Sequence, residues 1–222
     1  CTDEQLEYCL RTPEGQTVLE GTLSCAGMAD VWDLEVDAPE LWWPRTHGKQ
    51  PLYELEVRLV SRREVLDIGT RRIGFRRLEK VGDMDFRING RPLKLWGGNL
   101  AHADTVSGCY HRERMADLLL LAQTAHFNCL RVWGESEILP EEFYEECDRR
   151  GILLWQDFYL GYNMYSEEAH MLDLCRQEAE TLVNRLKSHP SILLWCGGNE
   201  VLLSRDYQYP GNYCYGEPIF RE

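Results

Sequence analysis

Apolar and polar side chains alternate along the amino-terminal part of the chain, the pattern of a strand with one face in water. Residues 53–59 show this alternation most clearly, and residues 32–36 repeat it upstream. A third candidate strand, 67–79, is interrupted at Gly69 and Gly74, where a β-bulge would fit. Short strands separated by turn residues predict an incomplete β-sandwich.

After residues 81–83 the pattern changes to short apolar runs that alternate with helical periodicity. Asn89-Gly90 between two apolar triplets predicts a β-hairpin. Candidate strands follow at 93–96, 128–133, 152–155 and 191–196. Candidate helices carry an apolar stripe from Met115 to Ala122, run from Pro140 to Gly151, or begin at the cap Ser166 and end before Pro190. Strands that are apolar on both faces and joined by helices predict a parallel sheet covered by helices.

The sequence thus predicts two domains, a partial β-sandwich over 1–82 and an α/β domain over 83–222. No GxGxxG or GxxxxGK(S/T) motif follows a strand, so a nucleotide-binding sheet would have no phosphate cradle. Instead each candidate strand ends in a tryptophan followed by polar or glycine residues: Trp96, Trp133, Trp155 and Trp195. In a (β/α)8 barrel the carboxyl ends of the strands form the active-site face. We therefore expect the first four βα units of a TIM barrel, with these tryptophans at the carboxyl ends of adjacent strands.

Charge and cysteine content exclude several kinds of partner. With 24 basic and 37 acidic side chains, the formal net charge is −13, which repels nucleic acid and anionic membrane surfaces. No apolar run approaches the roughly 20 residues that a membrane-spanning helix needs.

The 9 cysteines include no CxxC pair, so we expect free thiols, no metal and no cofactor. Free thiols favour a reducing compartment such as the cytoplasm, with lysosome, periplasm and secretion left open. The first residue is Cys1, not Met, which indicates a start inside a longer protein.

The sharpest candidate for chemistry is Asn199-Glu200, which follows an apolar strand and two glycines. A carboxylate at the mouth of a barrel can be partly desolvated, which raises its pKa toward that of a working acid. The preceding asparagine can bind a substrate hydroxyl. In the structural alternative, Glu200 caps a helix that begins at 201–203.

Arg131 stands inside an apolar strand, where its charge requires a carboxylate partner from the strand ends. Such a pair fits a structural role and a catalytic role equally well. The tryptophans fit either core packing or an apolar floor for sugar rings. Further polar candidates occur in loops, although turn chemistry alone explains each of them: Asn99, His102, Asp104 and Asp157.

Several segments together carry a resemblance to a known family. They are PELWWP at 39–44, QPLY at 50–53, IGFR at 73–76, 86–92, NCLRVWG at 128–134, EFY at 142–144, CD at 147–148, 151–158, SHPSI at 188–192 and NE at 199–200. In these segments and their order, the chain resembles glycoside hydrolase family 2, and within it the β-mannosidase-like branch. The resemblance implies an immunoglobulin-like sandwich followed by a catalytic (β/α)8 barrel.

The resemblance also implies roles for individual residues. Glu200 would be the general acid/base of a retaining mechanism, Asn199 would hold the sugar 2-hydroxyl, and Arg131 would lie beneath the catalytic carboxylates. Other residues at the strand ends would bind the sugar: Trp133, Asp157, Asn99 and Asp104. The family's nucleophilic glutamate belongs after strand seven and has no counterpart in this sequence.

The resemblance implies an exo-glycosidase that acts with retention on terminal β-linked sugars of a glycoside or oligosaccharide. Among these substrates, β-mannosides are the first expectation. A β-galactosidase, β-glucuronidase or exo-glucosaminidase of the same family is the alternative. A non-catalytic carbohydrate-binding or assembly module is an alternative of another class. The usual Trp-Gly-Gly-Gly of the branch is Trp133-Gly134-Glu135-Ser136 here, and His102 stands where proline is common. By itself the chain is expected to be inactive and to self-associate through its exposed half barrel.

Overall fold

The computed structural model describes residues 4–24, 31–62, 64–102, 111–136, 139–161, 165–166 and 168–201. Its amino-terminal part is a four-stranded antiparallel sheet in the order β2-β1-β3-β4. The strands are β1 (Glu4–Arg11), β2 (Thr17–Ser24), β3 (Tyr53–Ser61) and β4 (Glu64–Ile73). This sheet is one layer of the predicted sandwich.

The predicted strand over 53–59 is confirmed, whereas the one over 32–36 is wrong. Residues 31–36 form no strand, and Trp32 is 37% exposed. Alternation alone cannot supply a hydrogen-bonding neighbour, and β1 already occupies the place beside β3. Gly69 does not interrupt β4; the register instead shifts where Leu59 and Val60 of β3 pair with Asp67 and Val65, which leaves Leu66 of β4 as an extra residue.

A three-stranded antiparallel sheet, in the order β5-β6-β7, connects the two parts of the molecule. Its strands are β5 (Leu78–Lys80), β6 (Phe86–Ile88) and β7 (Arg91–Leu93). The predicted hairpin turn is confirmed, since Asn89 and Gly90 have φ of 49° and 79°. Apolar side chains of this sheet pack with Trp42 against one face of the parallel sheet described next.

Four parallel strands in sequential order form the carboxyl-terminal part, with helices between them. The strands are β8 (Gly97–Leu100), β9 (Cys129–Val132), β10 (Leu153–Asp157) and β11 (Ile192–Cys196). The helices are α1 (Arg112–Thr124), α2 (Glu141–Arg150) and α3 (Ala169–Leu186). The prediction of half a TIM barrel is confirmed, while the domain limits at 1–82 and 83–222 stay a prediction. None of the helices in the described ranges is long and apolar enough to cross a membrane.

The first barrel strand and the start of the last helix differ from the sequence prediction. Strand β8 begins at Gly97 and not at residue 93, because Leu93 pairs with Phe86 in the hairpin. Helix α3 begins after Glu168, whose backbone N–H donates to the Ser166 hydroxyl at 3.2 Å. Ser166 therefore stabilises the approach to the helix without capping it.

Helices and strands share one apolar core, and a second core joins the barrel to the connecting sheet. The first contains buried residues of all three helices together with Leu130, Val132, Leu154 and Ile192. The second contains Cys129, Leu153 and Leu193 from the opposite face of the parallel strands. The parallel strands therefore have a helix-facing side and an inner side, and the described part leaves β8 and β11 as the two edges. Self-association through those edges stays a prediction.

Candidate active site

The inner side of the parallel sheet carries an ion pair between two neighbouring strands. Arg131 of β9 donates from Nε to Asp157 Oδ1 at 3.1 Å and from Nη2 to Asp157 Oδ2 at 2.6 Å. In the parallel register Arg131 lies beside Trp155, and its guanidinium carbon is 5.7 Å from the centre of the indole ring. Asp157 follows two residues later on the same side of β10, so the long arginine side chain can reach its carboxylate.

Asp157 has no accessible surface and has donors around both carboxylate oxygens. Besides Arg131, its Oδ2 accepts the backbone N–H of Gly134 at 3.1 Å. The hydrogen bonds that Arg131 donates to Asp157 raise the pKa of Arg131, although burial acts in the opposite direction. Arg131 therefore stays charged, and its hydrogen bonds to Asp157 fix the loop after β9 against the end of β10.

Asn199 joins this pair from the end of β11. Its Oδ1 accepts a hydrogen bond from Arg131 Nη2 at 3.1 Å, and its backbone N–H donates to the Leu160 carbonyl at 2.7 Å. The residue is 6% exposed. Because the amide oxygen is occupied by Arg131, the Nδ2 group is the part of this side chain that can donate to a ligand.

Glu200 follows immediately and is exposed, with φ of 53° in the left-handed region. Such a backbone conformation is costly for a residue with a side chain and occurs more often at functional sites. The charge of Glu200 also contributes to the raised pKa of Arg131, so the two side chains are near enough to interact. Of the helix that the structural alternative places at 201–203, only Val201 lies within the described residues.

The four tryptophans do not form one layer at the strand ends, contrary to the sequence prediction. Trp133 does follow β9 directly, is half-buried and meets the His102 ring edge-on at 6.0 Å. Trp96 precedes β8, and Trp155 lies in the middle of β10.

Trp195 lies on the helix-facing side, where it stacks with Phe158 at 5.8 Å. The reason is an irregularity in strand pairing: Leu154 pairs with Ile192 but Trp155 with Leu194, which leaves Leu193 as an extra residue. The extra residue turns Trp195 to the other side of the sheet, beside Gln156.

Of the two remaining candidate residues, Asn99 and Asp104, the structure describes only Asn99. Asn99 is exposed on β8, in register with Arg131 across the β8–β9 pairing. Asp104 lies outside the described residues. The backbone groups of Gly134 and Leu160 belong to the site but were missed, because every residue has a backbone N–H and C=O and the sequence does not single these out. In the described part of the chain, no group of three or more His, Cys, Asp or Glu residues could hold a metal ion.

Comparison with known proteins agrees with this architecture. Residues 5–76 match the family model of glycosyl hydrolases family 2, and residues 80–215 match the TIM barrel domain of the same family. The chain belongs to glycosyl hydrolases family 2.

The individual relatives that the chain resembles include β-mannosidases and a β-glucuronidase. The chain is 35% identical over 208 residues to β-mannosidase B of Thermothelomyces thermophilus, covering 88% of this chain and 24% of that protein. The crystal structure of the β-D-mannosidase of Dictyoglomus thermophilum superimposes with a TM-score of 0.89 at 32% identity, covering 99% of this chain and 28% of that one. A Bacteroides uniformis β-glucuronidase, covalently bound to cyclophellitol-6-carboxylate aziridine, has a TM-score of 0.77 at 26% identity, covering 94% and 25%. The chain thus spans about a quarter of the length of these relatives.

Proposed function

We propose that the protein carrying this chain is a retaining exo-glycosidase that removes terminal β-mannosyl residues, with Glu200 as its general acid/base. The observation that carries the proposal is the cluster of Arg131, Asp157 and Asn199 at the carboxyl ends of three adjacent strands, directly beside Glu200. Similarity to two β-mannosidases supports the choice of sugar. The substrate is a glycoside or oligosaccharide.

In the first step Glu200 gives its proton to the glycosidic oxygen as the bond to the anomeric carbon breaks. A carboxylate nucleophile attacks that carbon from the opposite face, and the sugar becomes covalently bound. In the second step the Glu200 carboxylate takes a proton from water, which attacks the anomeric carbon and releases the sugar.

The second carboxylate of a retaining site stands about 5–5.5 Å from the first. Asp157 does not suit that role, because it is completely buried and both oxygens accept hydrogen bonds within the protein. We assign Asp157 a positioning role that acts through Arg131. The nucleophile is then a residue outside the described part of the chain.

Asn199 would hold the sugar through its Nδ2 group, since Arg131 fixes the amide oxygen. The sugar 2-hydroxyl would then accept this hydrogen bond. Asn99 is in register with Arg131, and Trp133 directly follows β9; we propose that both contact the sugar. Asp104 stays a candidate on sequence alone.

The test is Glu200→Gln in the full-length protein, with substrates that differ only in the leaving group. A mannoside with an alkyl leaving group should lose about 10³-fold in kcat/KM, because its oxygen needs a proton to depart. A dinitrophenyl β-mannoside should lose far less in the glycosylation step, and added azide should restore turnover because azide attacks without a general base. Glu64→Gln, which removes an exposed carboxylate from β4, is the matched control and should leave both rates unchanged. Equal losses in glycosylation for both substrates would refute the assignment.

A further inference from the structure

Gln156 is a buried polar residue on the side of β10 that faces the helices. It lies beside Val132 of β9 and Trp195 of β11 and has no accessible surface. Asp157 is the next residue of the strand, so its carboxylate points to the opposite, inner side of the sheet. A buried amide costs free energy unless its donor and acceptor groups are paired. The partners of this amide therefore show what Gln156 does for the strand.

The amide nitrogen of Gln156 binds the backbone of Asp157. Its Nε2 group donates to the Asp157 carbonyl at 2.8 Å. The pairing of β10 with β9 ends at Gln156 and Val132, so Asp157 lies one residue beyond that ladder. The Gln156 side chain thus continues the hydrogen bonding of β10 past its pairing with β9. It holds the peptide group of the residue whose carboxylate binds Arg131 on the other side of the sheet.

Tyr144 of α2 holds the other end of the same amide. Its hydroxyl donates to Gln156 Oε1 at 3.0 Å, which turns Nε2 toward the Asp157 carbonyl. Burial raises the pKa of Tyr144, so the hydroxyl keeps its proton and remains a donor. The centre of the Tyr144 ring is 5.3 Å from that of Phe143 and 5.6 Å from that of His189. Packing of α2 therefore fixes the place of this hydroxyl.

Two contacts on the inner side of the sheet extend this chain of hydrogen bonds to the candidate site. Asp157 binds Arg131, and Arg131 Nη2 donates to Asn199 Oδ1 at 3.1 Å. Asn199 is the residue that, in the proposed function, holds the sugar 2-hydroxyl. Hydrogen bonds to that hydroxyl strengthen in the transition state of glycoside hydrolysis. A small displacement of Asp157 would therefore weaken a contact that matters most in the transition state.

We propose that Tyr144 and Gln156 are positioning residues that hold Asp157 and, through Arg131, set the place of Asn199 at the sugar 2-hydroxyl. This inference rests on the proposed glycosidase function. Both residues act from the helix-facing side of the sheet and do not touch the sugar. A residue that only stabilised the fold would affect all substrates equally, whereas these two should affect substrates that carry a 2-hydroxyl.

The experiment compares the full-length protein with Tyr144→Phe, which removes the hydroxyl and keeps the ring. The substrates are dinitrophenyl β-mannoside and its 2-deoxy counterpart, which lacks the hydroxyl that Asn199 would hold. Tyr144→Phe should lower kcat/KM about tenfold for the mannoside and less than about twofold for the 2-deoxy substrate. Gln156→Met, which keeps the size and removes the amide, should show the same difference between the two substrates.

Tyr53→Phe is the matched control. Tyr53 is a buried residue of β3 in the amino-terminal sheet, and its hydroxyl accepts the Glu40 N–H at 2.9 Å. This variant also loses one hydrogen bond of a tyrosine hydroxyl but should leave kcat/KM of both substrates unchanged. Asn199→Ala tests the path, because adding Tyr144→Phe to it should cause little further loss on the mannoside. All variants are assayed at a temperature at which circular dichroism shows them to be folded.

Equal losses on the two substrates, or no loss on the mannoside in folded Tyr144→Phe and Gln156→Met, would overturn the positioning role and leave the β-mannosidase proposal standing. The unsubstituted protein could instead cleave another β-glycoside, with the variants losing rate on that glycoside and not on its 2-deoxy form. That result would overturn the choice of mannose and support the positioning role. Equal cleavage of both substrates by the unsubstituted protein would overturn the role of Asn199 and with it this inference, while the test of Glu200 is independent of it.

Discussion

Arg131 and Asp157 form a bidentate ion pair between β9 and β10, with N–O distances of 3.1 and 2.6 Å. The carboxylate is fully buried, while 24% of the arginine side chain is accessible. Through the same guanidinium, Asn199 at the end of β11 is held at 3.1 Å. Three strand ends thus depend on one carboxylate, which makes Asp157 a support of the site.

Asp157→Asn should destabilise the protein on the order of 3 kcal/mol, because it leaves the Arg131 charge without its partner inside the sheet. Arg131 Nη2 and the Gly134 N–H both bind Oδ2, so an asparagine oxygen in that place can keep these two bonds. Its NH2 group would then face the Arg131 Nε–H, which loses its acceptor Oδ1. Urea unfolding of the full-length protein measures the change. Asp173→Asn on α3 is the control: its pair with Arg176 at 3.6 Å is more than half exposed, so its loss should be within about 0.5 kcal/mol. Equally small losses for both variants would contradict a supporting role for Asp157.

The sequence predicted that Arg131 must pair with a carboxylate at the strand ends, because a charge among apolar residues needs one. It could not choose Asp157 over other candidates, since that choice depends on the register between β9 and β10. The hydrogen bond from the Gly134 N–H to Asp157 could not be predicted from the sequence either. Glu200 was predictable as a candidate because of its place after β11, but its left-handed backbone was not.

A second buried network lies at the other end of the barrel and predicts a pH dependence of stability. His189 contacts Asp148 Oδ2 through Nδ1 at 2.6 Å and Glu141 Oε1 through Nε2 at 3.1 Å. Both ring nitrogens can donate only when the imidazole is protonated. Glu141 also binds Arg71 of the amino-terminal sheet at 2.8 Å and Arg185 of α3 at 3.3 Å, so the network joins both parts of the molecule.

Burial lowers the pKa of His189, but the hydrogen bonds and charges of Asp148 and Glu141 outweigh it, and the net pKa is raised. A histidine whose pKa is higher in the folded than in the unfolded state stabilises the fold fully below its unfolded pKa of about 6.5. This contribution is lost as the pH rises through the higher folded value. Stability should therefore fall from pH 6 toward alkaline pH.

His189→Gln should remove this part of the slope of unfolding free energy against pH, in addition to lowering stability. The measurement is urea unfolding of the full-length protein at several pH values from about 6 upward. His170→Gln, at an exposed position of α3, should leave the slope unchanged. A slope that is identical in the unsubstituted protein and in His189→Gln would show that His189 is not the titrating group.

Much of the barrel followed from periodicity, because β9, β10 and β11 are apolar runs with turn residues between them and the helices. Periodicity did not predict the side of the sheet on which Trp195 lies. Its side depends on a single extra residue, Leu193, in the pairing of β11 with β10. Pairing irregularities arise from contacts between strands that are about 40 residues apart in sequence, so a local pattern does not reveal them. The hairpin of β1 and β2 was missed although the sequence contains its signal, since Leu6, Tyr8 and Leu10 show the alternation of a strand.

Gly151 gives a prediction about the connection between the barrel and the segment before β3. It ends α2 with φ of 67°, its carbonyl accepts the Arg45 N–H at 2.9 Å, and a Cβ there would be 2.6 Å from that nitrogen. Gly151→Ala therefore combines a strained backbone with a clash against backbone that cannot move freely. The expected loss is on the order of 3 kcal/mol.

Gly90→Ala separates these two causes. Gly90 has φ of 79° in the turn between β6 and β7, and apart from its chain neighbours no atom lies within 4 Å of where the alanine methyl would stand, so it carries the backbone strain without the clash. Its loss should be about 1 kcal/mol. Unfolding of both variants is followed by intrinsic fluorescence, to which Trp42 contributes. Trp42 is buried where the segment meets α2, and its indole N–H donates to the Asp148 carbonyl at 2.9 Å. If Gly151→Ala cost no more than Gly90→Ala, the contact with Arg45 would be loose enough to give way, and it would not fix the segment to the barrel.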